Sequence, residues 1–254
     1  MSTTIAIVNQ KGGVGKTTTA INLGAFLADM GKRVLLVDVD PQANATSGVG
    51  VDINKIENSL YDLFNGTKDV LAVLYPTSIE NLHLLPSSPD LSGLSVELMN
   101  VEGRELKLKN ILAPIQDSYD YILIDCPPSI EMLTVNALVA ANKVLVPVQC
   151  EYYSLEGLSR LINVLNIVKE DINPQLEVAG IVLTMFDPRT MLNKEVVNET
   201  QKFFGDKVYK TIIPRNIRIS EAPSYGQPIS IYAKNSKGAL AYKELAKELV
   251  KNVG

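Results

Sequence analysis

The chain of 254 residues has no tryptophan, one histidine and two cysteines, and each shortage removes a class of function. The lone histidine, His83, excludes a multi-histidine metal centre and leaves little for histidine-based nucleophilic catalysis. In "NLHLLP" it reads as a member of a short strand. Cys126 and Cys150 stand at neither a zinc nor a C-x-x-C spacing. Each follows an apolar run, so both read as small buried hydrophobes. No apolar run of about 18 residues occurs, and "MSTTIAIVNQ" lacks the basic stretch and small-residue cleavage site of a signal peptide. A cytoplasmic protein is expected. Positive charge is short as well: 24 Lys and Arg stand against 28 Asp and Glu, a formal net charge of -4. Any contact with nucleic acid must therefore be a local patch.

What is abundant is apolar sequence, 46% against 20% charged residues, enough at this length to bury the core of one domain covering residues 1–254. Short runs rich in β-branched residues predict strands at 4–9, 33–39, 121–126, 143–149, 179–185 and 210–214. Continuous apolar runs suit parallel strands buried on both faces. Between them, Ala20, Leu23, Gly24 and Leu27 follow helical spacing, with Gly31 placed to end the helix. Leu155, Leu158, Ile162, Leu165 and Val168 form a second stripe, and Leu240, Leu245 and Leu249 a third. The alternation predicts an α/β fold, a mostly parallel twisted sheet with helices on both faces and ligands at the carboxyl ends of the strands. Residues 50–110 are the least regular and read as a surface excursion.

The stretch "NQKGGVGKTTTAINLG" falls between the first predicted strand and the first helix, where such a fold binds phosphate. Gly12, Gly13 and Gly15 let backbone amides turn inward, and the helix N-terminus adds its dipole. Lys16 would reach the β- and γ-phosphates of a nucleotide, and the Thr17 hydroxyl would ligate Mg2+. The usual G-x-x-x-x-G-K-[ST] pattern is not met, because its first glycine falls on Gln10. A second lysine, Lys11, stands in the loop instead.

"KGGVGKTT" resembles the deviant Walker A motif of the ParA/MinD group of P-loop ATPases. "VLLVDVDPQANATSG", "YDYILIDCPPS", "VPVQCEYYSLEGL", "GIVLTMFDPRT" and "TIIPRNIRISEAPSYGQPI" extend the likeness over most of the chain. The ordered set looks most like the Soj-type chromosomal partition ATPases. The resemblance implies ATP and Mg2+ as ligands, with the loop Lys11, Gly12, Gly13, Val14, Gly15, Lys16, Thr17 and Thr18 around the phosphates. It implies that Lys11 reaches the nucleotide of the opposite subunit in an ATP-sandwich homodimer, with Gly12 closely facing the partner. Asp125, ending a strand, resembles the Walker B aspartate that holds Mg2+. Asp38 and Asp40 share one side of a strand end by the period of two. By resemblance Asp40 orients the attacking water and Asp38 supports the metal shell. Lys11, Lys16 and Asp40 are thus the catalytic candidates. "IPRN" resembles the adenine-binding segment, with Pro214 packing on the base and Asn216 at its edge.

The same likeness implies non-specific binding to double-stranded DNA through Arg189 and Arg218, release on hydrolysis, a ParB-type centromere-bound partner that stimulates hydrolysis, and association with the nucleoid. Between 202 and 218, Lys202, Lys207, Lys210, Arg215 and Arg218 are opposed by Asp206 alone. Lys234, Lys237, Lys243 and Lys247 are the next candidates. A MinD-like membrane ATPase would need an amphipathic tail with a bulky apolar face and a basic one. "ALAYKELAKELVKNVG" carries Glu244 and Glu248 and has no Phe or Trp, so no membrane partner is expected. An iron-sulfur relative would need cluster-ligating cysteines that this pair does not match. A small-molecule synthetase would show turnover dependent on an added acid.

Overall fold

The structure, a computed structural model, describes residues 2–151 and 154–253, without the side chains of Ser154, Leu155 and Glu156. Seven strands, β1 (Thr3–Ile7), β2 (Val34–Asp38), β3 (Tyr75–Pro76), β4 (Leu82–Leu85), β5 (Tyr121–Asp125), β6 (Lys143–Gln149) and β7 (Glu177–Thr184), form one sheet. Their order is β3-β4-β2-β5-β1-β6-β7, parallel throughout except the short β3–β4 pair. From β1 the chain first builds outward toward β2 and later toward β6, so β1 lies at the point where winding reverses. Ligands of such sheets bind beside that point, at the carboxyl ends of the strands.

Strand periodicity divides the interior into two layers. Ile5 and Ile7 face one core with Val34, Leu36, Tyr121 and Leu123. Ala6 and Val8 face the other with Leu35, Val37, Ile122 and Ile124. Helix α1 (Lys16–Asp29) packs on the first layer through Ala20, Leu23 and Leu27, each fully buried. The helix Ser154–Asp171 contributes Leu158, Leu165 and Val168 to the second, with Ile162 at its margin. The Leu155 side chain lies outside what the structure describes.

Three expectations need correction. The segment 210–214 is not a strand but touches β7 and its following loop by single bridges, Ile181 to Val208 and Phe186 to Pro214. Its first donors go elsewhere: the Glu248 carboxylate accepts from the Lys210 and Thr211 amides at 2.7 and 2.9 Å, Pro214 has none, and the Ile213 amide donates to the Leu183 carbonyl of β7 at 2.8 Å. Residues 50–110 are not a surface excursion. They supply β3 and β4 and bury Leu60, Leu63, Phe64, Leu91, Leu94 and Leu98 in the second layer. A capping box between Ser59 and Asp62 starts the helix Leu60–Phe64. Such helices are too short to show a periodic stripe. Finally, Leu240 is exposed. The buried face of the helix Lys237–Val253 is Ala239, Tyr242, Leu245, Ala246 and Leu249, so its apolar stripe is covered by its own fold. Among the described residues no helix is long and apolar enough to cross a membrane.

Candidate functional site

The loop from Val8 to Gly15 joins β1 to α1 at the carboxyl edge of the sheet. Gly13 and Gly15 take positive φ, 74° and 92°, a conformation that a Cβ disfavours. Gly15 is the N-cap of α1 and offers no side-chain cap, so the first amides of the helix remain available to an anion. The loop is anchored from within: the Val14 side chain is buried, and the Thr184 hydroxyl at the end of β7 donates to the Val14 carbonyl at 2.8 Å.

The two lysines are placed differently. Lys16 is buried, and burial lowers its pKa against the opposing pull of Asp125 and Asp40. Its ammonium reaches the Lys11 carbonyl at 3.4 Å. It is a desolvated cation facing two carboxylates, a setting in which phosphate oxygens are strong ligands. Lys11 carries its charge to the exposed rim, where it pairs with Glu151. Its amide is fixed by Asn9 Oδ1 at 2.9 Å.

Asp38 and Asp125 end neighbouring strands in direct register, and both are fully buried. Their surroundings differ. Asp38 Oδ2 accepts from the Thr46 amide and hydroxyl at 2.8 and 2.7 Å, and Oδ1 accepts from the Asp40 amide at 3.2 Å. Burial still pushes its pKa up, against those bonds. Asp125 has neither oxygen in a hydrogen bond, although the Thr17 hydroxyl lies near enough to favour its charged form. Burial raises its pKa well above the carboxylate range, and the charge of Asp38 adds to this. An orphaned buried carboxylate costs several kcal/mol unless a cation or proton compensates it. Asp125 beside the Thr17 hydroxyl therefore fits Mg2+, which takes one or two protein oxygens and draws the rest from water and phosphate. Among the described residues no cluster of three or more His, Cys, Asp or Glu could hold a metal alone. Asp38, bonded by three of the chain's own donors, shapes the loop behind that position.

Asp40 is nearly buried, accepts from the Gln42 amide at 3.0 Å, and begins the turn into helix α2 (Asn44–Gly48). On the far side of α1's N-terminus lies a cavity of about 380 Å³ lined by Gly15, Thr18, Met185, Pro214 and Asn216 among others. That brings the phosphate loop and the predicted base segment into one cleft. The Asn216 oxygen caps the helix Ile217–Glu221 through the Arg218 amide at 3.0 Å, which leaves its NH2 group as a donor.

Arg189 and Arg218 lie on segments that run side by side, joined by the Phe186 to Pro214 bridge and the Arg215 amide bond to the Phe186 carbonyl at 2.9 Å. Both are more neutralised than a count along the sequence implies. Arg189, 87% exposed, grips Asp187 through two nitrogens at 2.9 and 2.7 Å. That pairing holds the Asp187 carboxyl down at about 2. Arg218 bonds Glu221 at 2.8 Å, and Lys202 lies 3.8 Å from Glu199. These carboxylates come mostly from outside the 202–218 window. His83 contacts the Tyr119 hydroxyl at 2.8 Å, away from the cleft residues. Cys126 and Cys150 are buried, and burial pushes both thiols up, Cys150 to about 12.

Sequence reasoning did not single out Glu151, Thr46, Thr184, Met185 or Ser87. Met185, with φ 54°, follows a strand carboxyl end, which is a usable signal; the others have none, because their partners are distant in sequence.

Residues 2–178 match a family model described as an AAA domain. The chain is 52% identical over 252 residues to the sporulation initiation inhibitor protein Soj of Bacillus subtilis, covering 99% of this chain and 100% of that one. It is also 52% identical over 254 residues to the chromosome-partitioning ATPase Soj of Treponema pallidum, at 100% and 99% coverage. Among solved structures it resembles a cobyrinic acid a,c-diamide synthase of Mycobacterium smegmatis with bound ADP and magnesium. There the TM-score is 0.88 and the identity 36%, over 99% of this chain and 95% of that one. With a phosphate loop bearing two lysines, strand-ending aspartates and near-complete alignment to these proteins, the chain belongs to the Soj/ParA family of chromosome-partitioning ATPases, of ParA/MinD-type fold.

Proposed function

We propose that this ATPase works in DNA segregation as an ATP-dependent switch. ATP drives two chains into a sandwich dimer, the dimer holds double-stranded DNA without sequence preference, and Mg2+-dependent hydrolysis, stimulated by a ParB-type partner, releases it and returns the protein to the pool off the nucleoid. Lys16 holds the triphosphate in its own subunit, with Thr17, Thr18 and the amides of Gly13 to Gly15 around it. Thr17 and Asp125 would hold Mg2+, which would supply charge neutralisation for the triphosphate. Asp40 orients the water that attacks the γ-phosphate, and Pro214 and Asn216 frame the adenine.

The observation that carries the dimer is the second lysine. Lys11 carries its ammonium to an exposed rim, where among the described residues it pairs with Glu151, and such a surface pair is weak, at about 0–1 kcal/mol. A phosphate of a second subunit can displace it. Next to it, a Cβ built on Gly12 would meet nothing within 4 Å, so only another molecule could resist a side chain there.

Light scattering with ATP tests this reading. The unmodified protein should double in mass, whereas Lys11→Ala and Gly12→Val should stay monomeric yet retain nucleotide, and Lys16→Ala should lose nucleotide altogether. A Lys11→Ala protein that dimerises normally contradicts it. The likeness to the mycobacterial synthase offers a second reading, a small-molecule ligase. ATP turnover that requires an added carboxylic acid would support that one instead.

A further inference from the structure

The backbone of Asp40 is held at its amide and at its carbonyl by a closed ring of hydrogen bonds. The parallel register pairs Val37 of β2 with Leu85 of β4, so Ser87, two residues beyond β4, comes level with the turn that carries Asp40. The Ser87 hydroxyl donates to the Asp40 carbonyl at 2.6 Å, and the Ser87 amide donates to Thr46 Oγ at 3.0 Å. The Thr46 hydroxyl and amide donate in turn to Asp38 Oδ2, while Asp38 Oδ1 receives the Asp40 amide. Thr46, Ser87 and Asp38 are fully buried and Asp40 is 7% exposed. Burial shields these bonds from solvent, and removing the Ser87 hydroxyl leaves the Asp40 carbonyl to the Ala43 amide of its own turn, at 2.9 Å, with no tie to the segment after β4.

From this geometry we infer that Thr46 and Ser87 are positioning residues for ATP hydrolysis, fixing the backbone on both sides of the Asp40 carboxyl so that it meets the attacking water. The inference rests on Asp40 as the group that orients that water. The ring spans three elements, the end of β2, helix α2 and the segment after β4, and both peptide groups of Asp40 belong to it. Ser87 alone ties two of those elements together, with its amide on one and its hydroxyl on the other. Neither residue approaches the phosphate loop by a hydrogen bond, so their loss should spare nucleotide binding. Small displacements of a reacting group cost rate steeply, up to about 100-fold for 1 Å.

Steady-state ATP turnover with Mg2+ and the affinity for a fluorescent ATP analogue separate this role from a purely structural one. Ser87→Ala should lower kcat by about 10-fold, with KM and analogue affinity within about twofold of the unmodified protein. Thr46→Val should lower kcat at least as much, and Thr46→Ser, which keeps the hydroxyl, should restore it. If Ser87→Ala turns over normally below its melting temperature while Asp40→Ala is inactive, the ring serves stability alone and the inference fails. It fails too if Thr46→Ser is as slow as Thr46→Val. Should Thr46→Val not fold, the Ser87→Ala result decides. An active Asp40→Ala removes the reading on which the inference rests, an outcome distinct from the others.

Discussion

Asp38 and Asp125 are the same residue type, equally buried, in register on adjacent strands, and their environments assign them opposite work. Three protein donors bond Asp38, which ties it to the turn into α2. None bonds Asp125, so it is the carboxylate left for a cation. Asp40, two residues on, has its backbone held and its carboxyl accepting from the Gln42 amide. Asp40→Ala should therefore bind ATP with near-normal affinity and lose hydrolysis by about 100-fold or more, accumulating as an ATP-bound dimer. Turnover and size under saturating ATP are the readouts, and unchanged turnover would remove Asp40 from the reaction. At this scale the sequence located the strand ends and the loop that carry Lys16, Asp40 and Asp125, while the roles of these side chains are proposals. It was silent on Ser87 and Thr46, because a hydrogen bond across 41 residues leaves no trace in local pattern. It also predicts that Asp38 supports the metal shell; in the structure Asp38 accepts from the Thr46 amide and hydroxyl and the Asp40 amide.

Among elements, the strands buried on both faces were the most legible, since continuous apolar runs have few other uses. β6 has the predicted bounds, while β1 and β2 are each shorter by a residue or two. The segment 210–214 has the same composition yet is not a strand, because a carboxylate from the last helix takes the Lys210 and Thr211 amides and the Ile213 amide is left to bond β7. Composition cannot reveal such competition. A related contact joins the Asp40 region to the segment bearing Arg218. Gly50, just after α2, and Gly226 meet backbone to backbone: a Cβ on Gly226 would lie 2.9 Å from the Gly50 Cα, and Gly226 has φ 61°. No rotamer relieves a clash with backbone. Gly226→Ala should lose about 1–3 kcal/mol of stability, read as a lower urea midpoint. An unchanged midpoint would mean that the two turns separate freely.

For the whole molecule, the net charge of -4 leaves DNA binding to a local surface, and the fold makes that surface weaker in a single chain than the sequence suggests. Arg189 and Arg218 each have a carboxylate partner, so phosphate must compete for them. In the proposed dimer, two chains would present four arginines to one duplex and would compete for phosphate together. Arg218→Ala should still dimerise and hydrolyse ATP slowly, yet bind DNA poorly, with the slope of log affinity against log salt reduced by about 0.9 for each phosphate no longer neutralised. Wild-type affinity and slope would move the patch to Lys234, Lys237, Lys243 and Lys247. The central claim is that ATP creates the DNA-binding form, and the most direct measurement is affinity for a mixed-sequence duplex at one fixed salt concentration with ATP, with ADP and without nucleotide. The account predicts binding at least about 10-fold tighter with ATP than in the other two states, as expected when dimerisation doubles the phosphates that one particle neutralises. Equal affinity in all three, or no binding with ATP, would contradict it.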